Sequence, residues 1–157
     1  MSERLNVVVD ASGSMGADGK LDVMRALVVR LKSIAQHFDM ETSIFLWRED
    51  MQELGRLKDL VPQGRAEAAA LSSFIREGDE GACHLLLSDG FWGVEEAGEL
   101  KNAIHQKGVR LSLVAVGIEA RPMEMKCSLG LDMVWRGEDI VSAIQFLHCD
   151  ISREAAL

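Results

Sequence analysis

Leu5-Asn6-Val7-Val8-Val9-Asp10-Ala11-Ser12-Gly13-Ser14 is an apolar, largely β-branched run that stops at a carboxylate and enters a loop of small hydroxyl residues. A short continuous apolar run bounded by a Gly/Ser loop reads as a buried strand. Beyond the loop, Leu21, Met24, Leu27, Val28, Leu31, Ile34, Ala35 and Phe38 recur at steps of three and four. That spacing is the single apolar stripe of a helix packed on one side. Strand, polar loop and helix in this order form the opening unit of a layered α/β domain.

The rest of the chain repeats the alternation. Thr42 to Trp47 reads as a second strand, and Gln52 to Val61 as a short edge strand paired with it. Pro62-Gln63-Gly64 breaks the chain before an Ala-rich helix from about Ala66 to Arg76. His84 to Ser88 is a strand, followed by a helix whose buried stripe is Val94, Ala97, Leu100 and Ile104 and which ends at Gly108. Arg110 to Val116 is again a strand. Arg121 to Gly130 holds one helical turn, Leu131 to Trp135 a last strand, and Asp139 to Leu147 a last helix. The expectation is a doubly wound, mostly parallel sheet with helices on both faces and one antiparallel edge strand. Residues 1–150 form one domain and 151–157 a tail. Ligands of such sheets bind at the carboxyl ends of the strands, which directs attention to the loops after Val9, after Leu87 and around Gly64.

Spacing separates the meanings of the loop. A phosphate loop needs G-x-x-x-x-G-K-[ST]; Gly19-Lys20 supplies its end, but Ser14 stands at the first glycine and Leu21 at the final hydroxyl. The dinucleotide pattern G-x-G-x-x-G cannot be placed. An EF-hand loop begun at Asp10, Ser12 and Ser14 meets Met15 where glycine is needed and Leu21 where glutamate is needed. A nucleophile elbow on Ser14 has Ser12 in place of its first glycine. What remains is D-x-S-x-S after one buried strand and Asp89 after another. Alternate residues of a turn can face one point, so two carboxylates and two hydroxyls can converge on a hard divalent cation, which prefers oxygen. The plainer alternative is that the hydroxyls cap the helix and Asp10 ends a strand.

On these residues the chain resembles the von Willebrand factor A (vWA) domains over almost its whole length. Their metal-ion-dependent adhesion site is built from D-x-S-x-S after the first strand, a threonine before a middle helix, and an aspartate at the end of the fourth strand. Asp10, Ser12 and Ser14 match the first element, and Asp89 in Leu87-Ser88-Asp89-Gly90 the last. The resemblance implies a divalent cation held by Asp10, Ser12, Ser14 and Asp89, with Mg²⁺ the first choice and Mn²⁺ or Ca²⁺ the alternatives. A partner protein would then offer an acidic side chain to the ion. It further implies a non-enzymatic adaptor or scaffold, of the kind that works with AAA+ ATPases or with kinases and phosphatases.

One position departs from that pattern. Gln63-Gly64-Arg65-Ala66 stands where the threonine loop is expected, with Arg65 in the threonine's place. A guanidinium near Asp10 and Asp89 would replace the metal, since a +1 charge about 4 Å from a +2 ion is opposed by roughly 8 kcal/mol at an effective dielectric near 20. The alternatives are an arginine swung out to solvent, or a shifted loop that lets Ser72 or Ser73 approach. Met15, Arg65 and Trp92 are the residues expected to meet a partner, Trp being enriched in interface hot spots. Phe91 is expected to pack on the fold, and His84 to be a core histidine.

Bulk properties narrow the class. A formal net charge of −8 disfavours nucleic acid and anionic membrane as standing partners. Cys83, Cys127 and Cys149 form no C-x-x-C pair, so they read as thiols of a reducing compartment. No stretch approaches the roughly 20 apolar residues of a membrane span, and the run at Leu5 is too short for a secretory leader. A cytoplasmic protein is expected. Two further readings stay open: a metal-free packing subunit, and a Mg²⁺-dependent hydrolase or phosphotransferase using Asp10 or Ser14, for which no general base is visible.

Overall fold

The computed structural model describes residues 3–17, 19–90 and 92–156, with side chains as far as residue 148. Phe91 and the side chain of Cys149 lie outside the described residues. Strands β1 (Glu3–Asp10), β2 (Met40–Trp47), β3 (Met51–Glu53), β4 (Cys83–Ser88), β5 (Arg110–Ala115) and β6 (Val134–Arg136) alternate with helices α1 (Lys20–His37), α2 (Ala68–Glu77), α3 (Val94–Lys107), α4 (Pro122–Leu129) and α5 (Ile140–Ala156). They form one six-stranded sheet in the order β3-β2-β1-β4-β5-β6. All neighbours are parallel except β2 and β3, the antiparallel pair at one edge. This is the doubly wound, mostly parallel α/β architecture expected from the sequence.

The strands divide two cores by their alternation. Val7, Val9, Leu85 and Leu87 face α1 and α5, meeting Met24, Leu27, Leu31, Ile140 and Ile144. Val8, Leu86 and Leu113 face the opposite layer, meeting Leu71, Ile75, Leu100 and Met125 from α2, α3 and α4. Burial on both faces is why Val7–Val9 of β1 and Leu85–Leu87 of β4 are unbroken apolar runs rather than alternating ones. After β1 the chain moves to β2 on one side, then returns to lay β4 on the other side of β1. The carboxyl ends of β1 and β4 therefore flank the point where the winding reverses, the place where such sheets leave a crevice.

Four elements differ from expectation. The edge strand read over Gln52 to Val61 is confined to Met51–Glu53, with one further bond from Leu54 N–H to the Ile44 carbonyl (2.7 Å). The chain then turns through Leu57–Asp59 so that Leu60 is fully buried. The helical turn read in Arg121 to Gly130 is a complete short helix, with Pro122 at its start. It closes with Gly130 in the left-handed region and Leu131 N–H bonded to the Lys126 carbonyl (3.1 Å). That closure uses Leu131, so β6 begins later, at Val134. Finally, α5 continues past Leu147 to Ala156.

Candidate functional site

Asp10 is the last residue of β1, and Asp89 follows the last residue of β4. Both are buried, Asp10 2% and Asp89 3% exposed. Adjacent parallel strands thus deliver two carboxylates to one end of the sheet, and the loop after β1 folds over them. Asp10 Oδ1 accepts the Ser12 backbone N–H (3.0 Å) and the Ser12 hydroxyl (2.7 Å), closing a tight polar turn. Its Oδ2 accepts the Ser88 hydroxyl (2.6 Å). The Ser14 hydroxyl donates to Asp89 Oδ2 (2.8 Å), and the Ser12 and Ser14 oxygens lie 3.2 Å apart. Asp10, Ser12, Ser14 and Asp89 therefore stand in one connected cluster.

The loop is fixed from outside as well. Ala11 N–H bonds the Trp47 carbonyl (3.0 Å), Gln63 N–H the Ala11 carbonyl (2.9 Å), and Gly13 N–H the Gly64 carbonyl (2.9 Å). Gly64 is in the left-handed region (φ 67°), and a Cβ there would meet a Glu49 carboxylate oxygen at 3.0 Å. The Gln63-Gly64 stretch thus docks on the serine loop.

Arg65 does not enter the cluster. Its guanidinium is largely exposed and pairs with Glu96 Oε1 (3.0 Å), while Glu96 also receives the Gly93 N–H that starts α3 (3.2 Å). Of the alternatives for Arg65, the structure takes the outward one, because the α3 start offers it a carboxylate at the surface. Ser72 is buried in α2, with no hydrogen-bond partner for its hydroxyl among the described residues, and Ser73 is exposed. Met15 corrects the sequence expectation. It is fully buried in the α1-side core, the one long apolar side chain of its loop, and is a packing residue rather than a contact residue. Trp92 is half-buried against Trp47, ring centroids 6.1 Å apart, and forms part of a cleft wall.

Two residues of the site escaped the sequence reading. Ser88 supplies a proton to Asp10; its signal was a hydroxyl residue immediately before Asp89 at a strand end. Lys20 is buried, and its ammonium donates to Asp89 Oδ2 (3.2 Å) and to the Ser14 carbonyl (3.3 Å). Its signal was a lysine opening a helix, where the backbone dipole disfavours positive charge. The positive charge sought at Arg65 is delivered by Lys20.

Burial holds the Asp10 carboxyl above the usual carboxylate range. The hydrogen bonds from Ser88 and Ser12 pull the other way, and the charge of Asp89 adds to the rise. With both carboxylates ionised, the two serine hydroxyls have two protons for three oxygen–oxygen contacts: Ser12 to Asp10, Ser14 to Asp89, and Ser12 to Ser14. One contact therefore lacks a proton, and lone pairs face each other. A cation relieves such a shortage where another hydrogen-bond acceptor cannot. The set is all oxygen, which fits a hard ion of the Mg²⁺ or Mn²⁺ kind. Among the described residues no group of three or more His, Cys, Asp or Glu side chains is placed to hold a metal, so this mixed carboxylate–hydroxyl set is the candidate. Beside Asp89 opens a cleft of about 1060 Å³ between α3 and α4, walled by Trp92, Lys101 and Met125 and rimmed by Val94 and Ile118, each 91% exposed. Val94, expected in the buried stripe of α3, is instead its first, outward residue.

No protein-family model and no curated protein matches this sequence. Solved structures do. An aerotolerance-related membrane protein from Bacteroides fragilis superposes with a TM-score of 0.68 at 16% identity, over 97% of this chain and 100% of that one. The manganese-loaded TRAP protein of Plasmodium vivax gives 0.72 at 18% identity, over 94% of this chain and 73% of that one. A von Willebrand factor type A protein from Catenulispora acidiphila gives 0.62 at 12% identity, over 94% of this chain and 42% of that one. Winding order, edge strand and these superpositions define the class: the chain has the vWA fold. Among its described residues, no helix is long and apolar enough to cross a membrane.

Proposed function

We propose that this chain is a non-enzymatic, cytoplasmic adaptor that binds a protein partner through the carboxyl end of its sheet. A divalent cation, Mg²⁺ first, is held there by Asp10, Ser12, Ser14 and Asp89. The observation that carries the reading is the convergence of two buried carboxylates and two proton-short hydroxyls at the winding reversal, next to a cleft with exposed Val94 and Ile118. Apolar side chains this exposed beside a polar site favour a macromolecular partner. A partner carboxylate completes the ion's coordination, and Val94, Ile118 and Trp92 supply apolar contact. The vWA fold is compatible with an AAA+ ATPase or a kinase or phosphatase as partner.

Thermal unfolding in Mg²⁺ or Mn²⁺ tests the ion. A hundredfold excess over Kd should raise Tm by roughly 5–10 °C for a domain of this size. Asp10→Asn and Asp89→Asn should abolish the rise. No rise in the wild-type protein up to tens of millimolar, about the top of a useful affinity range, would leave the second reading, a metal-free packing subunit. The buried Lys20–Asp89 pair is the observation that favours that second reading.

A further inference from the structure

Lys20 is 3% exposed, yet it opens α1, where the unpaired backbone N–H groups carry partial positive charge. A lysine at this position gains most by reaching into water. Instead its side chain runs inward to Asp89 Oδ2, the same oxygen that accepts the Ser14 hydroxyl. The path is built for it. Gly117, after β5, sits at φ +99°, and a Cβ there would lie 2.9 Å from Lys20 Cε and 3.3 Å from its Cδ and Cγ. A side chain there would strain the backbone and displace that stem. Lys20 also lines a second cleft of about 490 Å³, together with Val23, Leu27, Arg30, Arg136 and Glu138. The Lys20 side chain therefore borders both the Asp89 end of the sheet and an open cleft.

We propose that Lys20 is a tethered cation that competes with a divalent ion for Asp89, withdrawing along Gly117 into the adjoining cleft when the ion enters. The proposal rests on the cation-site reading above. An ammonium and a metal ion on one carboxylate oxygen repel each other, so each weakens the other's hold. The oxygen set alone then binds the ion more tightly than the whole chain does. A partner carboxylate that reinforces the ion tips the exchange, which makes metal uptake and partner docking mutually supportive.

Titration calorimetry with Mg²⁺ on the wild-type protein, Lys20→Gln and Lys20→Met tests the competition. Lys20→Gln keeps a hydrogen-bond donor while removing the charge, and should bind Mg²⁺ at least ~10-fold more tightly than wild type. Equal or weaker binding by folded Lys20 variants overturns the competition while leaving the cation site standing. No Mg²⁺ or Mn²⁺ binding by any of the three overturns the cation site itself, and Lys20's role with it. Should the variants fail to fold, ¹⁵N-lysine NMR of the wild-type protein reads the same event. The Lys20 Nζ signal, protected by burial, should shift or exchange away as Mg²⁺ saturates. A signal that stays unchanged while Mg²⁺ binds overturns the proposal.

Discussion

His84 lies on β4, facing the α2 layer, 1% exposed, with its ring edge-on to Phe74 at 5.8 Å. Neither ring nitrogen has a hydrogen-bond partner among the described residues. Burial without a compensating acceptor penalises the charged imidazolium and pushes its pKa from 6.5 down to about 4. Between those two values the unfolded chain binds a proton that the folded chain refuses. Stability therefore falls as pH drops from 6.5 to 4 and is flat with respect to this group above 6.5. At about 1.36 kcal/mol per pKa unit the loss is about 3 kcal/mol, a large part of the 5–15 kcal/mol typical of a domain. The assay is urea unfolding of wild type and His84→Leu at intervals from pH 7 to pH 4. All other titrating groups are common to both proteins, so the difference between them isolates His84. Leu fills a similar volume without a titrating nitrogen, and its advantage over wild type should grow by about 3 kcal/mol across that window. A difference that stays constant within about 0.5 kcal/mol, or an NMR ring titration near pH 6.5, would refute the claim that this histidine is neutral and unpartnered.

Ser88→Ala removes the donor to Asp10 Oδ2 and the acceptor for Gly90 N–H (3.1 Å). It should cost about 2 kcal/mol in urea unfolding at pH 7 and move the Asp10 carboxyl still higher in a carbon-detected NMR titration. Asp10 titrates above its unfolded value, so the native state binds the extra proton and loses stability as pH rises from 3.8 through the folded pKa. Asp10→Asn should therefore flatten the pH dependence of stability in urea unfolding and abolish the response to Mg²⁺. Arg65→Thr breaks only an exposed ion pair with Glu96 and should change stability by no more than about 1 kcal/mol, measured by the same denaturation.

The fold was legible because its strongest signals are long-range consequences of local pattern. Continuous apolar runs at Val7–Val9 and Leu85–Leu87 announce strands covered on both faces. The three-and-four spacing of α1 and α3 announces the covering helices. The parts that slipped were decided by tertiary demands. Gln52 to Val61 carries enough apolar residues for a strand, but Leu60 is needed under the α1 side of the core, and the chain leaves the sheet after Leu54 to put it there. The start of β6 moved because Leu131 was already committed to closing α4. Such commitments depend on what lies opposite in space, which no window along the chain contains.

The site was half legible for a related reason. D-x-S-x-S is a local motif, and its carboxylate, hydroxyls and turn come together within five residues; Asp89 was found because strand ends are predictable. Lys20 is only six residues from Ser14, yet its role depends on Gly117 across the sheet, which gives its stem a path, and on Asp89, which gives its ammonium an end. Read alone, a lysine at a helix start is a minor electrostatic misfit. Read beside a departure at Arg65, the misfit becomes informative: a buried pair of carboxylates needs positive charge nearby, and when the expected arginine turns outward to Glu96, another cation has to serve. Buried acid pairs at strand ends can be searched in this way, by asking which basic residue is placed against its local preference and which glycine faces its stem.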